Sequence, residues 1–263
     1  MNQLLQIPSE VQIKKILRRT IYGSHLFCPK CHSRKIYTYQ NRYRCRKCRR
    51  SFSLLSGTWL SNMKLPLTTF WALLWCWTQK IPVLQAQKLC DLSEECIRHW
   101  FRIFRLQLPD VYPNLQGIVQ MDEAYFKSLS LIMAKEKGSR KLAYSFVIGN
   151  SVSRYHVADL IFQQISPETR LWTDGAAIYK GMDRWWPITH ERDIHSKWEF
   201  GKTSEIEGMF GCLRTFIRRM YHHVTPDYLP EVVAEFCARF SHPEMFNSPD
   251  SYLQKTLSSV PLD

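Results

Sequence analysis

The longest apolar run in this chain, residues 70–77, falls far short of the ~20 residues that cross a bilayer, so a membrane span is excluded. The first six residues are too short and too weakly charged for a secretory signal. No internal repeat and no low-complexity tract is present. A disulfide framework is missing as well: Cys76, Cys90, Cys96, Cys212 and Cys237 are scattered and odd in number, which fits reduced core thiols. Together these absences lead us to expect a soluble, intracellular protein, cytoplasmic and without a membrane partner. Scarcest of all is negative charge near the start. Glu10 is the one acid in the first fifty residues, against thirteen Lys or Arg.

The formal charge of +13 is therefore concentrated at one end, since residues 111–263 carry seventeen bases against eighteen acids. A basic head before a near-neutral body suggests that the head grips phosphates while the body does something else. At 263 residues and 45% hydrophobic, the chain can bury one medium domain and one or two small ones.

Inside the basic head lie two cysteine pairs, Cys28 and Cys31 in Cys-Pro-Lys-Cys and Cys45 and Cys48 in Cys-Arg-Lys-Cys. Two residues within each pair let both thiolates reach one tetrahedral ion, and the intervening stretch makes a hairpin that closes a structural Zn2+ site. Arg44, Arg46, Lys47, Arg49 and Arg50 crowd the second pair, so the metal would present a dense positive surface. That combination points to nucleic acid as a partner.

A basic helix over residues 8–19, capped by Ser9 and with apolar spacing at Val11, Ile13, Ile16 and Leu17, leads in, within an amino-terminal segment 1–23. The ribbon occupies 24–56, with strands at 35–39 and 42–44 turned by Gln40 and Asn41. Residues 60–108 read as a helix-turn-helix region. An aromatic helix starts after Pro66 and runs over 67–79; a helix over 83–90 follows, then a turn at Asp91 and Leu92 and a helix capped by Ser93 to about 106. On that last helix Arg98, Arg102 and Arg105 are expected away from Ile97, Phe101 and Phe104, facing DNA. Residues 108–116, with two prolines, read as a linker. Beyond it, strands at 117–121 and 142–150, a helix at 155–162, a strand at 171–173 and a long helix from about 204 predict a mixed α/β domain.

Three acids stand where chemistry would want them. Asp122 ends one apolar strand, Asp174 ends another, and Glu207 opens the late helix. Carboxylates from separate segments can surround a pair of hard divalent ions, which activate the attacking oxygen and stabilise the leaving oxygen of a phosphoryl transfer. Each acid also has a plainer reading: Thr-Asp-Gly is a common turn, Asp122 and Glu123 can end a strand, and Ser204 with Glu207 makes a capping box. Helical spacing aligns Ile206, Phe210, Leu213 and Ile217 as the buried stripe, with Glu207, Arg214 and Arg218 on one shoulder and Glu205 on the other. An acid beside two arginines suits a metal next to a phosphate, so Glu207 is the better third acid, with Glu205 as the fallback.

The order of these motifs, a Cys-x-x-Cys ribbon with Arg-Cys-Arg-Lys-Cys-Arg-Arg-Ser-Phe-Ser and Ser-Gly-Thr-Trp, then helix-turn-helix, Met-Asp-Glu, Thr-Asp-Gly and Glu-Ile-Glu-Gly with Leu-Arg, resembles zinc-ribbon transposases of bacterial insertion sequences, family fifteen-ninety-five. The resemblance runs from about residue 8 to about 240. It implies a ribonuclease-H-like catalytic domain, placed at 115–263, and carries the family's catalytic acids onto Asp122, Asp174 and Glu207 and its basic residue onto Arg214, where many members have lysine. Two departures stand out. Ser204 occupies a position where many members place a catalytic asparagine, and Ser241 replaces an asparagine after Arg-Phe. The implied activity is binding of terminal inverted repeats, metal-dependent DNA strand cleavage and strand transfer, by a homodimer or larger assembly on DNA. The alternatives are a sequence-specific DNA-binding protein with an inactive transposase-derived body, and a structure-selective nuclease on the same fold.

Overall fold

Helix α1 (Glu10–Tyr22) begins where the sequence places its cap. The Ser9 side chain accepts from the Gln12 amide and the Gln12 side chain accepts from the Ser9 amide at 2.8 Å, a reciprocal capping box. Ile13 and Leu17 are buried, whereas Val11, expected on the same stripe, is exposed. The computed structural model describes residues 7–40, 42–109, 113–193 and 202–257. The expected turn residue Asn41, the stretch 1–6 and part of the expected linker 108–116 lie outside the described residues. The chain divides into two units: everything up to Gln107 together with everything from Glu244, and Leu108–Pro243.

In the first unit, strands β1 (Ile36–Tyr39), β2 (Arg42–Cys45) and β3 (Ser51–Phe52) form a three-stranded antiparallel ribbon in that order. Helix α2 (Leu67–Thr78) follows Pro66 directly, and α3 (Val83–Cys90) and α4 (Glu94–Leu106) come next. Between the last two, Asp91 takes a left-handed conformation, φ 51°, which Asp tolerates better than most residues. The Ser93 side chain then accepts from the Cys96 amide and caps α4.

The second unit is built on a five-stranded sheet. Its strands β4 (Ile118–Phe126), β5 (Leu129–Glu136), β6 (Leu142–Ile148), β7 (Arg170–Thr173) and β8 (Thr189–Arg192) lie in the order β6-β5-β4-β7-β8. Helix α5 (Arg154–Gln164) connects β6 to β7, while α6 (Ser204–Tyr221) and α7 (Leu229–Ser241) follow the sheet. β4 to β6 pair antiparallel, and β4, β7 and β8 pair parallel. A three-strand antiparallel meander with a helical crossover into a parallel edge is the ribonuclease-H-like arrangement.

Successive side chains on a strand point to opposite faces, and β4 uses this alternation fully. Val119 and Met121 join a core with Val157, Ala158 and Ile161 of α5. Gln120, one residue out of phase, turns to the other face, where its Oε1 accepts from the Ile206 amide of α6 at 3.0 Å. On that side α6 and α7 are joined through Glu235, which is fully buried, accepts from the Tyr221 hydroxyl at 2.6 Å and pairs with Arg239 at 2.8 Å.

The last described element corrects the expected domain boundary. Residues from Glu244 belong to the first unit, not to a 115–263 domain. Helix α8 (Pro249–Leu257) buries Tyr252 and Leu253, and the Trp77 ring lies 5.1 Å from Tyr252, 5.4 Å from Phe246 and 5.5 Å from Phe104. The Tyr252 hydroxyl donates to the Phe104 carbonyl at 2.8 Å. The reason is apolar area: an aromatic helix set as large as α2 and α4 leaves rings to cover, and the tail supplies them. Among the described residues no helix is long and apolar enough to cross a membrane.

Tyr252 tests this return of the chain. Tyr252→Ala should destabilise the helical unit by about 3–5 kcal/mol, while Tyr252→Phe, which loses one hydrogen bond, should cost about 1 kcal/mol. Chemical denaturation followed by tryptophan fluorescence measures both; equal losses would mean that ring burial is not what holds the tail.

Candidate active site and metal centre

Two knuckles of matching backbone build the cysteine site. In the first the His32 amide donates to the Cys28 carbonyl at 2.9 Å, and in the second the Arg49 amide donates to the Cys45 carbonyl at 3.0 Å. The residue after each pair, His32 at φ 54° and Arg49 at φ 61°, is left-handed. Each turn thereby folds both of its sulphurs to one side. All four sulphurs lie within 4.8 Å of one another, with Cys28 to Cys48 at 3.5 Å and Cys31 to Cys45 at 3.6 Å. A tetrahedron with metal–sulphur bonds of about 2.3 Å has edges of roughly 3.8 Å, so the four thiols fit a zinc ion. Backbone amides of Cys48 and Lys47 hold the Cys45 thiol down at about 6, which favours the thiolate that a metal requires.

Beside this centre opens a cleft of about 450 Å³ lined by Tyr37, Arg44, Cys45, Arg46 and Arg49. The Arg44 guanidinium lies 5.7 Å from the Tyr39 ring centre and the Arg46 guanidinium 5.5 Å from that of Tyr37. Arg44 also donates from Nε to the Arg49 carbonyl at 3.3 Å. The tyrosine faces and this bond orient two of the cations before any anion arrives. Arg46, Lys47, Arg49 and Arg50 are exposed and Arg44 is half-buried.

On α4 the expected basic face is only partly present. Arg98 is exposed and paired with Glu94 at 2.8 Å, and Arg102 is exposed. Arg105, expected on the same face, is buried at 8% exposure. The reason is helical spacing: Ile97, Phe101 and Arg105 lie four residues apart, which puts the arginine at the edge of the packed stripe.

The three acids come together at one end of the large sheet. β4 and β7 pair from Ile118 with Arg170 to Gln120 with Trp172, and continuing that offset brings Asp174 level with Asp122. Pairing between the two strands ends at Gln120 and Trp172, so both acids lie just past it, on the side of the sheet where β7 reaches its carboxyl end. Asp122 does not end its strand as expected; β4 continues to Phe126 along β5. It shares the Gln120 face and so points toward α6, whereas Glu123 turns to the opposite face and accepts from the Tyr179 hydroxyl. The Asp174 Oδ1 accepts from the Ala176 amide at 2.9 Å, a turn of the Asx type.

The electrostatics bind the group together. Asp122 is pushed up to about 7, first by burial and then by the charges of Glu123, Asp174 and Glu207, while the Glu123 amide on its Oδ1 pulls the other way. Burial likewise raises Glu123. Such a cluster carries more negative charge than its surroundings offset, and its donors are all oxygen, which fits a hard divalent cation. Among the described residues the cysteine sulphurs are the group of potential ligands within 4.8 Å of one another, so the acids meet through charge and not through contact. Glu205 and Glu207 part here. Glu205 pairs with the buried Lys135, which holds its carboxyl below the usual range, whereas Glu207 acts on Asp122. Arg214 is exposed on α6, two turns after Glu207. Gln120 was missed in the sequence, though a buried polar residue inside an apolar strand was a readable signal.

Two family models match the chain. One, described as a transposase zinc-ribbon domain, covers residues 8–51, and the other, an ISXO2-like transposase domain, covers 127–241. The second begins just past Asp122. A protein of Halobacterium salinarum, described as an uncharacterized protein in transposable element ISH50, is 20% identical over 224 residues, spanning 73% of this chain and 76% of that one. Among solved structures, the catalytic core domain of BIV integrase aligns with a TM-score of 0.36 at 13% identity, over 47% of this chain and 82% of that chain. The simian T-cell lymphotropic virus intasome in complex with PP2A regulatory subunit B56 gamma aligns with a TM-score of 0.36 at 13% identity, over 65% and 68%. The strand order itself, and not these two structures, defines the topology of the second unit.

Purified protein should carry one zinc per chain by elemental analysis, and replacing Cys28 and Cys45 with serine should remove it; a folded, metal-free ribbon in the wild-type protein would refute the centre. The acids give a pH test. Because Asp122 is raised in the folded state from an unfolded value near 4, its burial costs nothing in acid. The cost grows as pH rises toward 7 and levels off above it. Asp122→Asn should therefore raise the melting temperature of the protein in chelator at pH 8, and the gain should fade toward pH 4.

Proposed function

Since the chain belongs to the zinc-ribbon DDE transposases of insertion sequences, family fifteen-ninety-five, we propose that it binds the terminal inverted repeats of its own element and catalyses DNA strand cleavage and strand transfer. The observation that carries this reading is the convergence of Asp122, Asp174 and Glu207, from two neighbouring strands and a helix, in one electrostatic cluster. Both matched regions are described as transposase domains, which supports the same conclusion.

Each part of the chain has a task in this reading. The cleft beside the cysteines offers Arg44, Arg46 and Arg49 to the phosphates of double-stranded DNA, with Lys47 and Arg50 on its margin. Arg98 and Arg102 extend that contact from α4, within a helix-turn-helix that positions them. Asp122, Asp174 and Glu207 would hold a pair of Mg2+ ions. Bound there, magnesium supplies Lewis acidity to the scissile phosphate and lowers the pKa of an attacking water or 3′ hydroxyl. Arg214 pairs with a nonbridging phosphate oxygen and holds the strand in line. Lys135 keeps Glu205 out of the cluster, so one carboxylate of the helix, not two, faces the ions. Joining two element ends requires two ends to be held at once, hence at least a dimer on DNA.

Two experiments test this reading. Asp122→Asn should abolish magnesium-dependent cleavage of DNA carrying the element ends and leave binding to that DNA nearly unchanged; cleavage at wild-type rate by the variant would sink the assignment. An intact protein that binds the ends but never nicks them would instead favour a DNA-binding protein with an inert body. For the ribbon, Arg44→Ala and Arg49→Ala should each weaken binding across sequences and reduce the slope of log K against log salt by about 1. An unchanged slope would remove the cleft from the phosphate contacts.

A further inference from the structure

Strand β8 ends at Arg192, and the next residue, Asp193, is 1% exposed. A carboxylate is tolerated at such depth where hydrogen-bond donors replace water. Its Oδ2 accepts from the Lys202 amide at 2.8 Å and from the Thr203 amide at 3.2 Å. These amides lie at the mouth of α6, where the cap residue Thr203 makes no side-chain capping bond of its own. Asp193 therefore caps the helix from the end of a neighbouring strand, and its negative charge also suits the helix amino terminus.

Thr203 is equally buried and has one hydroxyl proton. Two carboxylate oxygens compete for it: Glu207 Oε1 at 2.8 Å and Asp193 Oδ2 at 3.4 Å. The shorter bond takes the proton, because 2.8 Å is an ordinary length for a hydroxyl on a carboxylate and 3.4 Å is not. Asp193, already served by two amides, does not need it. The first turn of α6 is pinned from a second direction by Gln120 of β4, which accepts the Ile206 amide at 3.0 Å. Glu207 is otherwise an exposed side chain with three rotatable bonds.

We propose that Asp193 and Thr203 are positioning residues for Glu207: Asp193 fixes the start of α6 and Thr203 tethers one oxygen of the Glu207 carboxylate toward the divalent-metal site. The inference rests on Glu207 as the third acid of the proposed site. It goes beyond the family's acids, because neither residue would touch the ions or the DNA.

The test uses the 263-residue, zinc-loaded chain and magnesium alone as the probe. Magnesium stabilises a folded state that binds it, so the melting temperature rises with its concentration and gives a midpoint. Thr203→Val keeps the shape of the side chain and removes the hydroxyl; it should raise that midpoint about tenfold while leaving the magnesium-free melting temperature within about 1 °C. Thr203→Ser should restore the wild-type midpoint. Asp193→Asn, which keeps an acceptor for the amides but loses the charge, should move the midpoint in the same direction by about threefold, and it carries the test if Thr203→Val does not fold. A wild-type midpoint in Thr203→Val, or a loss of magnesium-free stability with no change in midpoint, would reduce the pair to a structural cap and overturn the proposal. A wild-type chain whose melting ignores magnesium would overturn the metal site itself, and an unresponsive Asp122→Asn beside a responsive wild type separates that failure from this one.

Discussion

The alternation of side chains along β4 is the constraint on which the second unit depends. Within five residues it sends Val119 and Met121 into the core with α5, Gln120 to the α6 amide, Asp122 toward the charges of Asp174 and Glu207, and Glu123 to Tyr179. A shift of pairing by one residue would exchange these roles, burying the Asp122 carboxylate against α5 and turning two apolar side chains toward α6. The antiparallel ladder with β5, from Val119 with Glu136 to Phe126 with Leu129, fixes that register over the whole strand. Structural and chemical requirements are thus met by one strand in one phase, which is why an acid can sit two residues from the centre of the core.

The acids and the cysteines solve opposite electrostatic problems. At Cys45, backbone amides supply partial positive charge, so that thiolate is favoured before metal binds. At Asp122 and Glu123, burial and then the neighbouring carboxylates disfavour ionisation. The first site is prepared for a soft ion that holds a fold together. The second stores unfavourable energy that a hard divalent ion would release on binding. Glu205 shows how the second site is kept from growing: with Lys135 beside it, that carboxylate is neutralised locally and adds nothing to the repulsion around Asp122.

Much of this was legible in the sequence, and the failures have physical causes. Two Cys-x-x-Cys pairs fix a metal site by spacing alone, and Ser9 and Ser93 mark helix starts because a hydroxyl before an apolar periodic run has few other uses. β5 escaped notice because six of its eight residues are buried. A strand covered on both faces has no alternation, and Leu-Ile-Met-Ala reads as readily as helix. Arg105 was misplaced because helical phase at the rim of a stripe is decided by the neighbours a helix packs against, which the helix's own residues do not reveal. The return of the tail to the helical unit was invisible for the same reason: Phe246 and Tyr252 are ordinary aromatic residues until Trp77 and Phe104 are placed beside them.

Glu207 was a different kind of ambiguity, because helix phase left both it and Glu205 on the flanks of the buried stripe. Local sequence could not choose, since either acid can complete a first turn or cap it. The choice is made by long-range partners: Lys135 from β5 takes Glu205, while Thr203 binds Glu207 and Asp122 feels its charge. Each partner sits on an element fixed independently of α6, Lys135 by the β5–β6 ladder and Asp122 by β4. The helix therefore docks onto a surface that already distinguishes its two shoulders, a cation on one side and a carboxylate on the other. Rotating α6 to exchange the two acids would break the Gln120 bond to Ile206 and move Ile206, Phe210 and Leu213 out of the core. Apolar packing and charge thus select the same orientation, which leaves Glu207, and not Glu205, acting on Asp122.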